Sequence, residues 1–534
     1  MRVGFFLGYG PQARYGTEGL GRYLGGLIKG FISAGVAVTV AAPVWSRKSL
    51  EKLFTELDIP LDAVSFVTNA KSEPFVWKVY KWLVLKERKS RTGLMKKLTK
   101  LLGEAAILFT KTSTEGFAKY LPLYILAFLL GLVMFIPALI LLLLYMLVSR
   151  VLRKARKKTS HLKKKESLKE DDDQSYLEIF HAMTDVVVEQ LVRVVNAGDY
   201  CDLWFVPSSF WPQVNDIKKP VVINVPDVVT AIYSAEFADQ IGARSNTRDV
   251  KKTIENGRFF ITYSEYIRRS VVIGDFGKDP DCVVAIPHVN NTSRPYIAVD
   301  NERAKDLNSP LEYDLELSRK MLRKMFSKSC PAYYAERMNF EDVHYIFYAS
   351  QIRPHKNIIS LLKAYEYLLR EKHHTIKLFL TGIINPDEYN TVSAYVFEHG
   401  LEHDVLSFSG VPAATLAALY RCADLVVNPS LYEGGFPFTL GEGMSVGTPS
   451  LMARSPFDID VLEGSNLLDI TFDPYDWKDL ADKIEYWLPR RDELYDKQLA
   501  FYKEMEKRTP DVVARDYLEK FEYFIDLYNQ GKGL

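Results

Sequence analysis

The stretch 423-ADLVVNPSLYEGGFPFTLGEGMSVG-447 joins an apolar run, a glycine-dense loop and a helix-like segment. This order places the loop beyond the carboxyl end of a buried parallel strand, where α/β proteins bind ligands. Glycines let backbone N–H groups approach a ligand, and a helix N-terminus favours phosphate. The carboxylates of Glu433 and Glu442 can accept hydrogen bonds from vicinal hydroxyls. The stretch therefore predicts a nucleotide-sugar site, although its residues alone leave a purely structural turn open.

Short apolar runs alternate with helix-like segments on both sides of this stretch. On the C-terminal side of the chain they include VHYIFYASQ, TIKLFLTGI and VLSFSG, and they predict a domain over 345–500. The first residues, RVGFFLGYG onward, predict a βαβ unit that opens a second domain over 1–73 and 176–290. A connector over 291–344 links the two domains. The fold class is thus predicted as α/β, with two doubly wound domains.

The last segment, 501–534, has the apolar spacing of a helix and is expected to pack back on the N-terminal domain. Length and composition agree with a two-domain globular chain: 534 residues, 48% hydrophobic and a formal net charge of +1. This charge gives no global attraction to nucleic acid. The four cysteines lie far apart, which predicts reduced thiols in the cytosol rather than disulfides or a zinc site. The N-terminus lacks the features of a signal peptide.

Residues 74–175 interrupt the first domain and predict a membrane-associated insert. The run 121–149 is apolar and free of charged residues, and it corresponds to about 43 Å of helix, enough for one crossing but not two. Because strands on both sides of the insert belong to one sheet, the chain must enter and leave the bilayer on the same face. We therefore expect a re-entrant hairpin that bends near Pro137. A second crossing around LLGEAAILF stays open.

The flanks of the run are rich in Lys and Arg, which favours the cytoplasmic face of a membrane and contact with lipid through residues 74–165. Trp77, Tyr80 and Trp82 in the first flank suit the headgroup region. Nucleic-acid binding by these basic segments is the weaker alternative beside so long an apolar run. The predicted location is the cytoplasmic face, in a monotopic or re-entrant arrangement.

The stretch 430–451 resembles the donor-site signature of the retaining glycosyltransferases of family 4, whose GT-B fold consists of two facing Rossmann-like domains. In that family two glutamates flank seven residues, and here Glu433 and Glu442 flank eight. The resemblance implies that Glu442 holds the ribose hydroxyls of the donor. It also implies that Glu433 and the backbone of Gly434, Gly435 and Phe436 contact the transferred sugar.

A second segment, ASQIRPHKNIISLLKAY, is similar to the strand, loop and helix with which that family binds the donor diphosphate. The resemblance assigns the two cations to Arg353 and Lys356, although Ser350 and Gln351 replace the usual Gly-Arg pair. Fixed cations stabilise the negative charge that develops on a departing nucleoside diphosphate. Two solvated surface cations at a helix start are the alternative.

Two further matches concern the N-terminal domain. YGTEGLGRYLGGL resembles the acceptor-side loop of the family, with Gly19 and Gly21 next to the donor phosphates, while βα packing is the other role for these glycines. KPVVINVPDVV resembles the family strand that ends in His-Asp, but Pro226 replaces the histidine and only Asp227 remains. Asp227 is thus an acceptor-side catalytic candidate or a helix cap. His288 falls at the domain junction as a hinge residue.

These resemblances predict a retaining glycosyltransferase that moves a sugar from a GDP- or UDP-linked donor to a membrane-associated or lipid-linked glycan acceptor, as in polysaccharide or glycolipid synthesis by mannosyltransferase-like enzymes. No metal ion or other cofactor is expected. An inactive membrane-anchored GT-B scaffold is the alternative function. A dinucleotide-dependent oxidoreductase is disfavoured because GYGPQARYGTEGLG is too long and irregular for a GxGxxG turn. The candidate catalytic residues are Glu433, Arg353, Lys356 and Asp227.

Overall fold

The computed structural model describes residues 1–11, 13, 15, 19–72, 104, 125, 170–226, 228–229, 243–297, 312–329, 343–382, 384 and 391–531. Within these residues the chain forms two α/β domains, each built on one parallel sheet. This agrees with the predicted fold class of two Rossmann-like domains.

The N-terminal domain alternates strands and helices along the chain. Its elements are β1 (Arg2–Phe6), α1 (Gly19–Ser33), β2 (Ala37–Ala41), α2 (Arg47–Glu56), β3 (Val64–Val67), α3 (Glu170–Ala197), β4 (Leu203–Val206), β5 (Val221–Val225), α4 (Ala243–Asn256), β6 (Phe259–Thr262) and β7 (Val283–Ala285). In the described part of the chain, the strands form one sheet in the order β3-β2-β1-β4-β5-β6-β7, and each neighbouring pair is parallel.

The central strands of this sheet are apolar along their length because helices cover both faces. β4 and β6 are buried at every residue, as a doubly covered parallel strand requires. One large side chain of the sheet also fits only because the residue beside it on the neighbouring strand is glycine. A Cβ atom on Gly4 of β1 would lie 2.4 Å from the Trp204 ring, so the indole packs directly on the backbone of the neighbouring strand.

The C-terminal domain repeats the same plan after a connector that contains α5 (Glu312–Ser329). Its elements are β8 (Tyr345–Tyr348), α6 (Ile358–Arg370), β9 (Lys377–Leu380), α7 (Thr391–Glu398), β10 (Val405–Ser407), α8 (Ala413–Cys422), β11 (Leu425–Asn428), α9 (Phe438–Met444), β12 (Ser450–Met452), α10 (Pro456–Leu462), α11 (Trp477–Trp487) and α12 (Arg491–Glu506). The described strands form the parallel order β10-β9-β8-β11-β12.

The last helix, α13 (Pro510–Asn529), returns to the N-terminal domain. Its residues Tyr517, Phe521 and Phe524 are buried in the same cluster as Phe5 and Phe205 of the first sheet. A Cβ atom on Gly30 of α1 would lie 2.6 Å from the Ala514 side chain, so α1 and α13 approach each other closely. The C-terminal segment therefore belongs to the N-terminal core.

The predicted insert falls almost entirely outside the described residues. The run 121–149 does so apart from position 125, and α3 begins at Glu170, before the predicted end of the insert at 175. Among the helices that the structure describes, none is long and apolar enough to cross a membrane. The membrane association of residues 74–165 stays a prediction from the sequence.

Candidate active site

Two loops meet at the point where the strand order of the second sheet reverses. β8 and β11 are neighbours at the centre of this sheet, and consecutive strands lie on opposite sides of them. Loops 349–357 and 429–437 follow these two strands at their carboxyl ends. A crevice at such a switch point is where open α/β sheets bind ligands. The sheet order therefore brings the two predicted donor-binding segments together.

Backbone contacts fix the glycine-dense loop against the neighbouring loop. The N–H of Leu431 donates to the carbonyl of His355 at 2.8 Å, and the Ser430 hydroxyl donates to the same carbonyl at 3.2 Å. Ser430 Oγ also lies 2.9 Å from the carbonyl oxygen of Tyr432. Burial, followed by the adjacent Lys356, lowers the pKa of His355 to about 4. The His355 ring is therefore neutral at pH 7, and Lys356 is the charged neighbour in this turn.

Lys356 and Glu433 form an ion pair across these two loops. Lys356 Nζ donates to Glu433 Oε1 at 2.7 Å, and each side chain is 19% exposed. Lys356 lies in the turn just before α6, where the positive end of the helix adds to its charge. Asn357 starts the helix with a φ of 51°, a conformation that asparagine tolerates better than most residues. The structure thus joins two predicted site residues in one partly buried group.

Arg353 lies three residues before Lys356, but it differs from Lys356 in exposure and in its hydrogen-bond partner. Its side chain is exposed, and its Nε donates to Gln351 Oε1 at 2.9 Å. The position lets the guanidinium turn towards an incoming anion without breaking an ion pair with Glu433. Arg353 is therefore placed near the Lys356 turn, but it is oriented by Gln351, one of the two residues that depart from the family pattern.

Glu442 lies on α9 and faces the connector between the domains. Asn291 Nδ2 donates to Glu442 Oε1 at 3.4 Å, a long contact. Burial, and then the nearby Glu442 carboxylate, raises the pKa of Tyr420 well above its usual range, so this phenol stays protonated. The second predicted glutamate is thus separate from the Lys356 pair and has polar neighbours of its own.

Gly435, between the two glutamates, lies against the N-terminal domain. A Cβ atom on Gly435 would lie 2.6 Å from the His288 ring and 3.2 Å from Tyr263. Burial lowers the pKa of His288, and its Nδ1 donates to the Val289 carbonyl at 2.9 Å. The Phe436 ring is 8% exposed and packs on Phe501 at 5.3 Å. The Phe436 side chain is therefore packed within the C-terminal domain.

The predicted N-terminal residues are only partly described. Gly19 and Gly21 open α1, and a Cβ atom on Gly21 would lie 1.8 Å from the Tyr15 carbonyl oxygen. This contact gives Gly21 a packing role in the loop before α1, which is the alternative that the sequence left open. Pro226 follows β5, while Asp227 lies outside the described residues. Its predicted catalytic role therefore remains a prediction.

Asp458 is a buried carboxyl near the ion pair that the sequence analysis did not single out. It is 2% exposed, and its Oδ2 accepts the Ser455 hydroxyl at 2.6 Å in a capping box that begins α10. Asp458 Oδ1 has no hydrogen-bond partner among the described residues. Burial, with a further contribution from Glu433, raises the pKa of Asp458 to about 7. The spacing S-x-x-D of Ser455 and Asp458 could have predicted the helix cap, but it does not predict that Asp458 is buried.

The Asp458→Asn variant is expected to have a flatter dependence of stability on pH. The pKa of Asp458 is about 7 in the folded protein against an ordinary value of 3.8, so the folded state binds more protons between these values. The free energy of unfolding therefore falls as the pH rises from 4 to 7, by up to about 4 kcal/mol from this group. Asparagine removes that loss because it does not ionise.

Urea unfolding at pH 5 and pH 8 measures this effect. The gain in stability of the variant over the native protein should be larger at pH 8 than at pH 5. Glu463→Gln, an exposed change at the end of the same helix, is the matched control and should keep the native slope. Equal slopes for Asp458→Asn and the native protein would show that Asp458 is ionised at neutral pH.

The described residues contain no group of three or more His, Cys, Asp or Glu side chains that could hold a metal ion. The arrangement that is present consists of one ion pair, one exposed arginine and a second carboxylate, all around a glycine-dense loop.

Part of this chain is similar to known proteins. Residues 335–507 match the family of glycosyl transferases group 1. The matched segment includes both loops of the site and the whole second sheet. An uncharacterized glycosyltransferase of Methanocaldococcus jannaschii is 28% identical over 152 residues, which are 27% of this chain and 34% of that protein. The O-antigen chain mannosyltransferase B of Escherichia coli is 29% identical over 153 residues, 26% of this chain and 39% of that protein.

Solved structures share the fold of the chain. Anabaena HepE, in complex with UDP-glucose, has a TM-score of 0.54 at 12% identity and covers 98% of this chain and 99% of its own. Sucrose-phosphate synthase of Thermosynechococcus elongatus has a TM-score of 0.52 at 13% identity, with 98% of each chain covered. At these identities the likeness establishes the fold alone. The match to the curated relatives spans little more than a third of their length.

Proposed function

We propose that the protein is a retaining glycosyltransferase of family 4 that transfers a sugar from a GDP- or UDP-linked donor to a glycan acceptor. The observation that carries the proposal is the Lys356–Glu433 pair, 2.7 Å long, at the switch point of the second sheet. A cation and a carboxylate at the carboxyl ends of adjacent strands suit the phosphate and the hydroxyls of one ligand. HepE, which shares the fold, is described in complexes with UDP and UDP-glucose.

The donor is proposed to lie across the glycine-dense loop. Lys356 and Arg353 would balance the charge of the diphosphate, and Glu442 would accept hydrogen bonds from the ribose hydroxyls. Glu433 would turn from Lys356 to the hydroxyls of the transferred sugar, with the backbone of Gly434 and Gly435 beside it. We propose that no metal ion is needed, since the two cations would balance the charge of the diphosphate.

Transfer would break the bond between the anomeric carbon and the diphosphate oxygen. The acceptor hydroxyl would form the new glycosidic bond on the same face of the sugar, and its proton would pass to the departing phosphate oxygen. This route requires no histidine at the place of Pro226. The side chain of Lys356 would stabilise the charge that develops on the leaving diphosphate.

The acceptor is proposed to be lipid-linked or membrane-associated. The support comes from the sequence: the uncharged run 121–149 and its basic flanks interrupt the domain that would bind the acceptor. The enzyme would then work on the cytoplasmic face of a membrane. Polysaccharide or glycolipid assembly fits such an acceptor, and the E. coli relative is an O-antigen chain mannosyltransferase.

A catalytically inactive scaffold is the second candidate. Two observations favour it: Pro226 stands where the family has histidine, and Lys356 and Glu433 already neutralise each other in this structure. The scaffold would bind a nucleotide without cleaving a sugar from it.

Reconstituted protein incubated with a panel of UDP- and GDP-sugars distinguishes the two functions. We expect release of one nucleoside diphosphate, faster with a lipid extract that contains the acceptor. In Glu442→Gln the KM for the donor should rise by about 10- to 100-fold, because a charged hydrogen-bond acceptor is lost. Glu398→Gln, an exposed change on α7, is the control. Nucleotide binding without release from any donor would establish the scaffold instead.

A further inference from the structure

Tyr432 belongs to the glycine-dense loop, yet its side chain lies in the core of the opposite domain. It is 4% exposed and packs in a cluster that includes Val225, Val228 and Ile267. Every other buried member of this cluster comes from the N-terminal domain, as far as the described residues go. The Tyr432 ring therefore crosses the boundary between the domains.

The ring packs among apolar side chains of the N-terminal domain. The backbone N–H of Val228 donates to the Tyr432 hydroxyl at 3.5 Å, which is at the long limit for a hydrogen bond. Val228 follows β5, so the ring is inserted at the carboxyl end of the first sheet. An aromatic ring in an apolar pocket contributes chiefly through the area that it removes from water.

The backbone of the same residue is fixed to the C-terminal domain. The Tyr432 carbonyl oxygen lies 2.9 Å from Ser430 Oγ, and the preceding N–H, that of Leu431, donates to the His355 carbonyl. The next residue is Glu433, which is paired with Lys356. Tyr432 thus connects the core of the N-terminal domain to the ion pair of the C-terminal domain, because it directly precedes Glu433 in the chain.

A second contact between the domains lies elsewhere. The N–H of Tyr266 donates to Asp460 Oδ2 at 3.1 Å, and Asp460 lies on α10, away from the loop of Glu433 in sequence. The two contacts differ in their distance along the chain from Glu433. Of the two residues, only Tyr432 is next to a glutamate of the site in the chain.

We propose that Tyr432 is a positioning residue that places Glu433 for sugar transfer only when its ring is seated in the N-terminal domain. The proposal rests on the transferase function proposed above. When the domains separate, the ring leaves its pocket and the loop of Glu433 loses its anchor in the N-terminal core. Nucleotide binding then persists through Lys356, Arg353 and Glu442 on the C-terminal domain, while transfer waits for closure.

The test compares kcat and the donor KM of Tyr432→Phe, Tyr432→Leu, Tyr432→Ala and Asp460→Ala with those of the native protein. Tyr432→Ala should lose kcat by about 10- to 100-fold, since small misplacements of site groups have effects of this size. Its donor KM should stay within about 3-fold of the native value. In Tyr432→Phe and Asp460→Ala, both kcat and the donor KM should stay within about 3-fold of the native values. The kcat of Tyr432→Leu should lie between those of Tyr432→Phe and Tyr432→Ala. Tyr432→Leu takes the place of Tyr432→Ala in the test if Tyr432→Ala does not fold.

Small-angle scattering with saturating UDP or GDP gives a second measurement that requires no turnover. The native protein with nucleotide should be more compact than Tyr432→Ala with nucleotide. A native kcat in Tyr432→Ala, or equal losses in Tyr432→Ala and Asp460→Ala, would overturn the positioning role. If the native protein turns over no donor, the transferase proposal fails, and scattering alone then decides whether Tyr432 holds the domains closed.

Discussion

Lys356→Met is expected to lower kcat for sugar transfer by about 100- to 1,000-fold, the range seen when one preorganised stabilising group is removed from a transition state. Methionine keeps an unbranched side chain of similar length, so packing changes little. The charge is lost at the atom that lies 2.7 Å from Glu433 in this structure. The leaving diphosphate would then lack its partly buried cation, while exposed Arg353 remains.

Single-turnover kinetics and thermal unfolding separate catalysis from folding in this variant. The pair is 19% exposed on both sides, so removing one partner should cost about 1–3 kcal/mol of stability without unfolding the protein. Lys363→Met, an exposed change on the same helix, is the matched control and should retain activity. Transfer at the native rate by Lys356→Met would remove Lys356 from the mechanism.

The double variant Lys356→Met/Glu433→Gln tests whether Lys356 acts through its partner. If Lys356 only holds Glu433 in place, the double variant should be no slower than Lys356→Met alone. If each group contacts the donor, the second change should slow transfer further. The donor-binding model predicts the second result.

Gly21→Ala is expected to destabilise the N-terminal domain by about 3 kcal/mol or more and to abolish transfer. Its Cβ atom would lie 1.8 Å from the Tyr15 carbonyl oxygen and 2.6 Å from the Tyr15 carbonyl carbon. Both are backbone atoms, and Tyr15 is 3% exposed, so no flexible side chain can absorb the clash. The segment that precedes α1 must shift, at the carboxyl end of the central strand β1.

Gly26→Ala on the same helix is a close control. Among the described residues, the Pro510 side chain would be the nearest group to its Cβ atom, at 3.9 Å. Alanine stabilises a helix interior by about 0.5–1 kcal/mol over glycine. Denaturant midpoints followed by tryptophan fluorescence should move in opposite directions for the two variants. A Gly21→Ala protein as stable as Gly26→Ala would contradict the close packing of Tyr15 on α1.

Most strands of both sheets were predicted from the sequence, because buried parallel strands are short apolar runs bounded by glycine and polar residues. The exception is β3 (Val64–Val67), which the sequence analysis did not identify. ADLVVNPS and VHYIFYASQ contain β11 and β8. The spacing of Lys356 and Glu433 in the chain did not show that they touch. Their contact depends on β8 and β11 being neighbours, which the order of the sheet decides.

The sequence did not predict which side chains are buried by segments far away in the chain. Ser455 and Asp458 have the spacing of a helix cap, but the pKa shift of Asp458 comes from the domain packed around it. His288 was expected at the junction as a hinge residue, and the structure packs it against Gly435 of the donor loop. The helical spacing of Tyr517, Phe521 and Phe524 predicted an apolar face, and the tertiary structure places that face on the N-terminal core.

The sequence by itself determined two Rossmann-like units, a glycine-dense loop between carboxylates and a nearby pair of cations, because these are local patterns of residue type and spacing. Only the tertiary structure decided that a lysine from one loop pairs with a glutamate from the next, and that Tyr432 is buried in the other domain. Such contacts join residues far apart in the chain. They depend on strand order and on the packing of one domain against the other, which local propensities do not encode.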